Sequence, residues 1–217
     1  MIQKNVLRIQ NEIAQITKEN GIGQKVTLVA VTKNQPVDVI PQLVAAGICD
    51  FAENRVQALV ERAPLMCGTR HLIGHLQTNK VKKAVSCADL IHSVDSIHLA
   101  REISRCAVLA EKTVEILIQV NVAREDRKFG VEVEALDGLL QQCSELPNLK
   151  VRGLMAIMPI DTKDEYYSKM FELYQNYALN KPYNISMDIL SMGMSSDYAT
   201  AVRYGANMVR IGTALYQ

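Results

Sequence analysis

With 217 residues, 48% of them hydrophobic and 22% charged, the chain has the make-up of one globular domain over 1–217 and excludes collagen, coiled coil and disorder. Lys plus Arg number 24 and Asp plus Glu 23, and there is no Trp; the net charge of +1 gives no field for nucleic acid or an acidic membrane, and base-stacking platforms are excluded too. Five cysteines, odd in number and without a C-x-x-C pair, read as reduced thiols, and no secretory or membrane-spanning apolar run occurs, so a cytoplasmic protein is expected.

Ile2, Val6, Ile9, Ile13 and Ile16 recur at spacings of four and three, which predicts a helix with one apolar stripe, stopped by Asn20-Gly21. Eight short apolar runs follow, at 26–31, 48–52, 70–74, 89–94, 114–122, 150–157, 187–193 and 207–213. Helical patterns separate them at 37–46, 54–63, 78–86, 96–111, 132–144, 164–179 and 196–204. Runs that are apolar throughout, alternating with helices, indicate parallel strands buried on both faces. Eight such units predict an α/β fold of the TIM (β/α)8 barrel type with an extra N-terminal helix; an open doubly wound sheet is the alternative. Gly74, Gly153, Gly193 and Gly212 are placed at or near strand ends, where turns need a permissive backbone.

In a barrel, chemistry gathers at the C-terminal ends of the strands. The residues there are Thr32-Lys33-Asn34, Glu53-Asn54-Arg55, the stretch His75 to Lys80, His92 to Asp95, Gln119 and Asn121, Met155 to Met158, Ser191 to Asp197, and Arg210 with Gly212-Thr213. The last two loops, SMGMSSD and IGT, are rich in small residues where barrels commonly hold phosphate. The alternative there is a plain helix cap by Ser195, Ser196 or Asp197. Lys33 ends the most apolar run. In a dry mouth its amine would lose its charge and could form a Schiff base; a solvated turn lysine is the other reading. Arg210 sits between Val209 and Ile211 and must serve a ligand or a carboxylate such as Glu53. His71 and His75 lack the Glu of a metalloprotease helix, so no metal is expected. The segment GIG at 21–23 precedes a strand and is no dinucleotide fingerprint, and no G-x-S-x-G elbow occurs.

The blocks VAVTKNQP, FAENRVQ, HLIGHLQTNKVK, IHSVDS, IQVNVAREDRKFGV, VRGLMAI, LSMGMSSDYATAV and MVRIGTALY, in order from residue 26 to the end, resemble the pyridoxal 5'-phosphate homeostasis protein family. That family is similar to the N-terminal barrel of alanine racemase, a fold type III binder of pyridoxal 5'-phosphate (PLP). The resemblance implies vitamin B6 homeostasis with PLP held as a Schiff base on Lys33. It places Asn54 near the cofactor, Ser195, Gly212 and Thr213 on its phosphate, and Arg210 against the pyridine nitrogen. A cation there disfavours the ring proton that an electron sink needs, so no catalytic residue and no dedicated reaction are expected.

The alternative is a PLP-dependent amino-acid racemase, which would need a second base from a further domain. A cofactor-free aldolase-type barrel using Lys33 is a third reading. Expected partners are PLP and apo-enzymes that require it, with no nucleic acid or membrane, in a monomer. The chain departs from the family in having Ala52 within Phe51-Ala52-Glu53-Asn54, where glycine is usual. It also carries Arg70-His71 where an aromatic is common, and a more charged 123–128 loop containing Lys128.

Overall fold

The structure is a computed structural model that describes residues 1–125, 129–159 and 164–217. Lys128 lies outside the described residues. Eight strands close into a parallel barrel in sequence order, β1 (Thr27–Val31), β2 (Asp50–Glu53), β3 (Thr69–Leu72), β4 (Leu90–Val94), β5 (Val114–Gln119), β6 (Leu149–Met155), β7 (Ile185–Ser191) and β8 (Met208–Ile211). Closure is made by β1 on β8, with Val29 opposite Arg210, and it excludes the open doubly wound sheet.

Around the barrel lie α2 (Val39–Ala45), α3 (Val56–Arg62), α4 (Val81–Cys87), α5 (Ile97–Leu109), α6 (Leu136–Ser144), α7 (Asp164–Leu179), α8 (Tyr198–Arg203) and α9 (Thr213–Tyr216). The N-terminal helix α1 (Ile2–Glu19) buries the predicted stripe of Ile2, Val6, Ile9, Ile13 and Ile16. It packs on α2, α8 and α9. Each such isoleucine contributes roughly 2 kcal/mol on burial, enough to hold the helix without further fasteners. Asn5 Nδ2 also donates to the carbonyls of Leu215 (3.1 Å) and Gln217 (2.7 Å).

The strands differ from the apolar runs by one to three residues at one or both ends, and in two of them the cause is local. The run 114–122 leaves the sheet after Gln119: Val120 N–H still donates to Met155 O, but Val120 otherwise bridges to Val131 and Asn121 N–H turns to Val131 O. β7 begins at Ile185, two residues before its run, since Asn184 at φ +66° turns the chain directly into the sheet.

The pleat sends alternate side chains to opposite faces. Phe51, Ile91, Ile116 and Leu154 pack outward under the helices. Val29, Val31, Ala52, Leu90, Leu117, Met155 and Met208 fill the barrel interior. The same interior holds buried His71, His92, Ser191 and Arg210. Gly153 lies inside β6, at a register shift on both of that strand's edges.

Candidate functional site

Parallel strands open all their C-terminal ends on one face. A cavity of about 580 Å3 lies there, bordered by Lys33, Ser195, Arg210, Gly212, Thr213 and Tyr216 among others. Five of the six residues singled out from the sequence therefore share one cavity. The sixth, Asn54, borders a neighbouring hollow with His75 and Lys80. His71 and His75 also part company: His71 points into the barrel to His92 and Asp50, and His75 stacks on Phe129 at 3.8 Å.

Lys33 stands in a four-residue turn. Gln35 N–H donates to Thr32 O at 3.1 Å, and Asn34 takes φ +60°, a conformation asparagine tolerates better than most residues. β1 has ended at Val31, so Lys33 stands exposed on the rim and not in a dry interior. What holds the turn is Arg62, from α3. Its guanidinium donates to Thr32 O (2.5 Å), to Gln35 O (2.7 Å) and to the buried Glu53 carboxylate (3.0 Å). Glu53 also accepts the Thr32 hydroxyl at 2.5 Å. The carboxylate of Glu53 is thus committed to Arg62, and the predicted pairing of Glu53 with Arg210 does not form. Glu53 faces the helices, whereas Arg210 faces the barrel interior.

The loops after β7 and β8 are tied to each other. Ser195 Oγ accepts N–H groups from Gly212 (3.1 Å) and Ala214 (3.3 Å). Asp197 occupies the N-cap position of α8 without a capping bond; it accepts Met194 N–H (2.7 Å) and the Tyr167 hydroxyl (2.7 Å). Ser195→Ala removes one shared acceptor beside solvent. A loss of about 1 kcal/mol is expected, read from the urea midpoint at unchanged slope.

Arg210 forms the floor. Its NH1 donates to Ser191 Oγ (2.7 Å) and NH2 to Ala156 O (2.9 Å). Burial pushes this guanidinium down to about 10, against a smaller opposing pull from Asp197. A buried cation hydrogen-bonded only to neutral groups presents an attractive surface to an anion or a ring-nitrogen lone pair.

No side-chain carboxylate, imidazole or thiol borders the cavity among the described residues. The groups able to exchange a proton are the Lys33 amine and the Tyr216 phenol, and burial followed by the Glu53 charge pushes that phenol up. Tyr216 also donates to Val31 O at 3.1 Å. The site offers one amine, a cationic floor and backbone donors, a set suited to an anionic carbonyl compound and poor in acid–base partners. The sequence names Asn34 only as a strand-end neighbour of Lys33, and it does not single out Tyr216 and Arg62. Tyr216 is four residues beyond the IGT glycine, but its contact with β1 depends on barrel closure.

Residues 5–217 match the family model described as "Alanine racemase, N-terminal domain". A protein of Aquifex aeolicus named pyridoxal phosphate homeostasis protein is 38% identical over 217 residues, covering 96% of this chain and 94% of that one. An Escherichia coli protein of the same name is 32% identical over 99% of this chain and 95% of its own length. Among solved structures, PipY of Synechococcus elongatus with PLP bound superposes with a TM-score of 0.87 at 32% identity, each chain covered completely. The alanine racemase of Clostridium difficile, 15% identical and covered over 56% of its length, shares the barrel fold at a TM-score of 0.77.

Proposed function

The chain belongs to the alanine racemase N-terminal domain family, and from that membership and the mouth geometry we propose that it binds PLP in vitamin B6 homeostasis, with no dedicated catalytic reaction. The donor set fits the group. A Cβ built at Gly212 would meet nothing closer than Val31 Cβ at 3.6 Å, so the missing side chain leaves a cradle beside the Ser195 loop. Thr213 opens α9, whose first N–H groups have no acceptor within the helix. Ser195, Gly212 and Thr213 are the residues to receive the phosphate. Lys33, across the same cavity, is the amine to receive the aldehyde.

PLP supplies an aldehyde and an electron-withdrawing ring. Arg210, on the cavity floor, would act against the second of these, because a guanidinium facing the ring nitrogen would disfavour a proton there. The lack of a side-chain carboxylate or imidazole among the described residues of the cavity wall supports the non-catalytic reading, since no such base stands ready to take a substrate proton. Lys33 and Arg210 bind and orient. Asn54, bordering a different hollow with His75 and Lys80, would lie near the cofactor. The likeness to racemases covers their barrel alone and brings no second base to the site. The chain also reads as a cytoplasmic monomer that can pass its ligand to apo-enzymes requiring it; among the described residues no helix is long and apolar enough to cross a membrane.

The test is a PLP titration followed by visible absorbance, borohydride reduction and peptide mapping. The expected result is a coloured complex and a pyridoxyl group on the Lys33 peptide, both lost in Lys33→Ala. A colourless protein without adduct overturns the reading. Racemisation of Ala or Ser that disappears in Lys33→Ala would establish the enzyme reading instead.

A further inference from the structure

A line of polar side chains crosses the barrel interior from the N-terminal end of β2 to the floor of the cavity. Asp50 Oδ1 lies 3.0 Å from His71 Nε2, and His71 Nδ1 lies 2.9 Å from His92 Nε2. His92 Nδ1 lies 3.2 Å from Ser191 Oγ, which accepts from Arg210 NH1 at 2.7 Å. His71, His92 and Ser191 are buried, while Asp50 keeps 24% of its side chain exposed beside a hollow at the opposite end of the barrel. The imidazoles meet edge to face, at 74°.

Donor counting gives the line one direction. Arg210 can only donate, so Ser191 Oγ accepts from it. Ser191 also has one proton to place, and the acceptor within reach of it among the described residues is His92 Nδ1. Burial, with His71 and Arg210 adding to it, holds His92 well below the usual imidazole range, so it carries one proton. With Nδ1 accepting, that proton is on Nε2 and points to His71 Nδ1. His71 in turn donates from Nε2 to Asp50. Every buried donor in the line is satisfied only in this order.

We propose that Asp50, His71, His92 and Ser191 form a directed hydrogen-bond relay that positions the Arg210 guanidinium from the far end of the barrel. Asp50 and both histidines are positioning residues, since none of them borders the mouth cavity. Asp50 supplies the terminal acceptor that selects the tautomers. Without it, His71 can turn its proton to Nδ1, which forces His92 to donate to Ser191 and leaves the Ser191 proton without its acceptor. The effect on PLP rests on the function proposed above; the order of the hydrogen bonds does not.

The test is nitrogen-resolved NMR of the imidazoles in the full chain without added PLP. The expected spectrum has Nε2 protonated and Nδ1 bare on both His71 and His92. Asp50→Ala shifts both rings together and weakens PLP binding about tenfold, the worth of one charge-assisted hydrogen bond. Asp50→Asn, whose side-chain oxygen still accepts, restores both the tautomers and the affinity. A merely structural Asp50 would lower the unfolding midpoint without moving the His92 tautomer. A proton on His92 Nδ1 in the unaltered chain, or a His92 signal indifferent to Asp50→Ala, overturns the relay. Failure of the unaltered chain to take up PLP would sink the proposed function, and the tautomer spectra would still decide the relay.

Discussion

Arg62→Met is expected to cost about 3 kcal/mol of stability and lower the thermal midpoint by roughly 10 °C. The reason is the partner left behind. Glu53 is 1% exposed, and its carboxylate would keep the Thr32 hydroxyl and lose its only cation among the described residues. Breaking a buried pair from one side costs more than never having built it. The double variant Arg62→Met/Glu53→Gln should therefore be more stable than Arg62→Met alone, because a neutral amide replaces the stranded charge and can still accept from Thr32. Strict additivity in that cycle would refute the coupling.

The same substitution reaches the proposed cofactor site. Arg62 grips the carbonyls on both sides of Lys33-Asn34, and without it only the Thr32–Gln35 hydrogen bond shapes the turn. PLP affinity should fall about tenfold. Arg62→Lys separates the two effects. A lysine can neutralise Glu53 but cannot reach three acceptors through one rigid fork. Stability should return in large part while affinity stays low; equal recovery of both would show that charge alone, and not the clamp, holds Lys33.

Gly153→Ala should be the most damaging single methyl in the molecule. A Cβ at this position would lie 1.8 Å from Ile189 O, and φ is +154°. The obstacle is the backbone of β7, which cannot rotate aside as a side chain can. Either β6 and β7 separate at the bulge or the barrel does not close. The expected loss is 4 kcal/mol or more, on the order of the largest single-site effects. The variant should fail to accumulate as folded protein, or should melt at least ~10 °C lower. Gly138→Ala is the control: it lies in α6, where the added methyl meets nothing within 4 Å, and it should stabilise by about 0.5–1 kcal/mol. If both glycines tolerate alanine equally, the bulge is not the constraint described here.

The two glycines also mark the limit of reading a chain without its fold. The sequence places Gly153 at or near a strand end, where turns need a permissive backbone, yet it lies within β6 at a bulge whose neighbours are 36 residues away in sequence. For Lys33 the sequence leaves two readings, a dry amine after an apolar strand and a solvated turn lysine, and the fold decides for the second. The strand stops two residues earlier, and the turn lifts the amine to the rim. On sign of charge the sequence offers Arg210 a ligand or a carboxylate such as Glu53. The pleat places them on opposite faces of the sheet, and Arg62, from the next helix, is the cation that arrives.

Local chemistry was legible throughout. The stripe of α1, the eight apolar runs, and the polar residues at their ends follow from periodicity and burial, and these repeat every few residues. The SMGMSSD and IGT loops were visible as a small-residue pair, and the resemblance to PLP homeostasis proteins rests on blocks such as these. The barrel decided the pairings. It joined Ser195 to Gly212 and Ala214, Arg62 to the turn of Lys33, and Asp50 to Arg210 through His71, His92 and Ser191, whose mutual contacts no local pattern states. Each pairing needs a distance between residues far apart in the chain and a definite side of the pleat. Periodicity states which residues are buried; only closure of β1 on β8 states which of them meet.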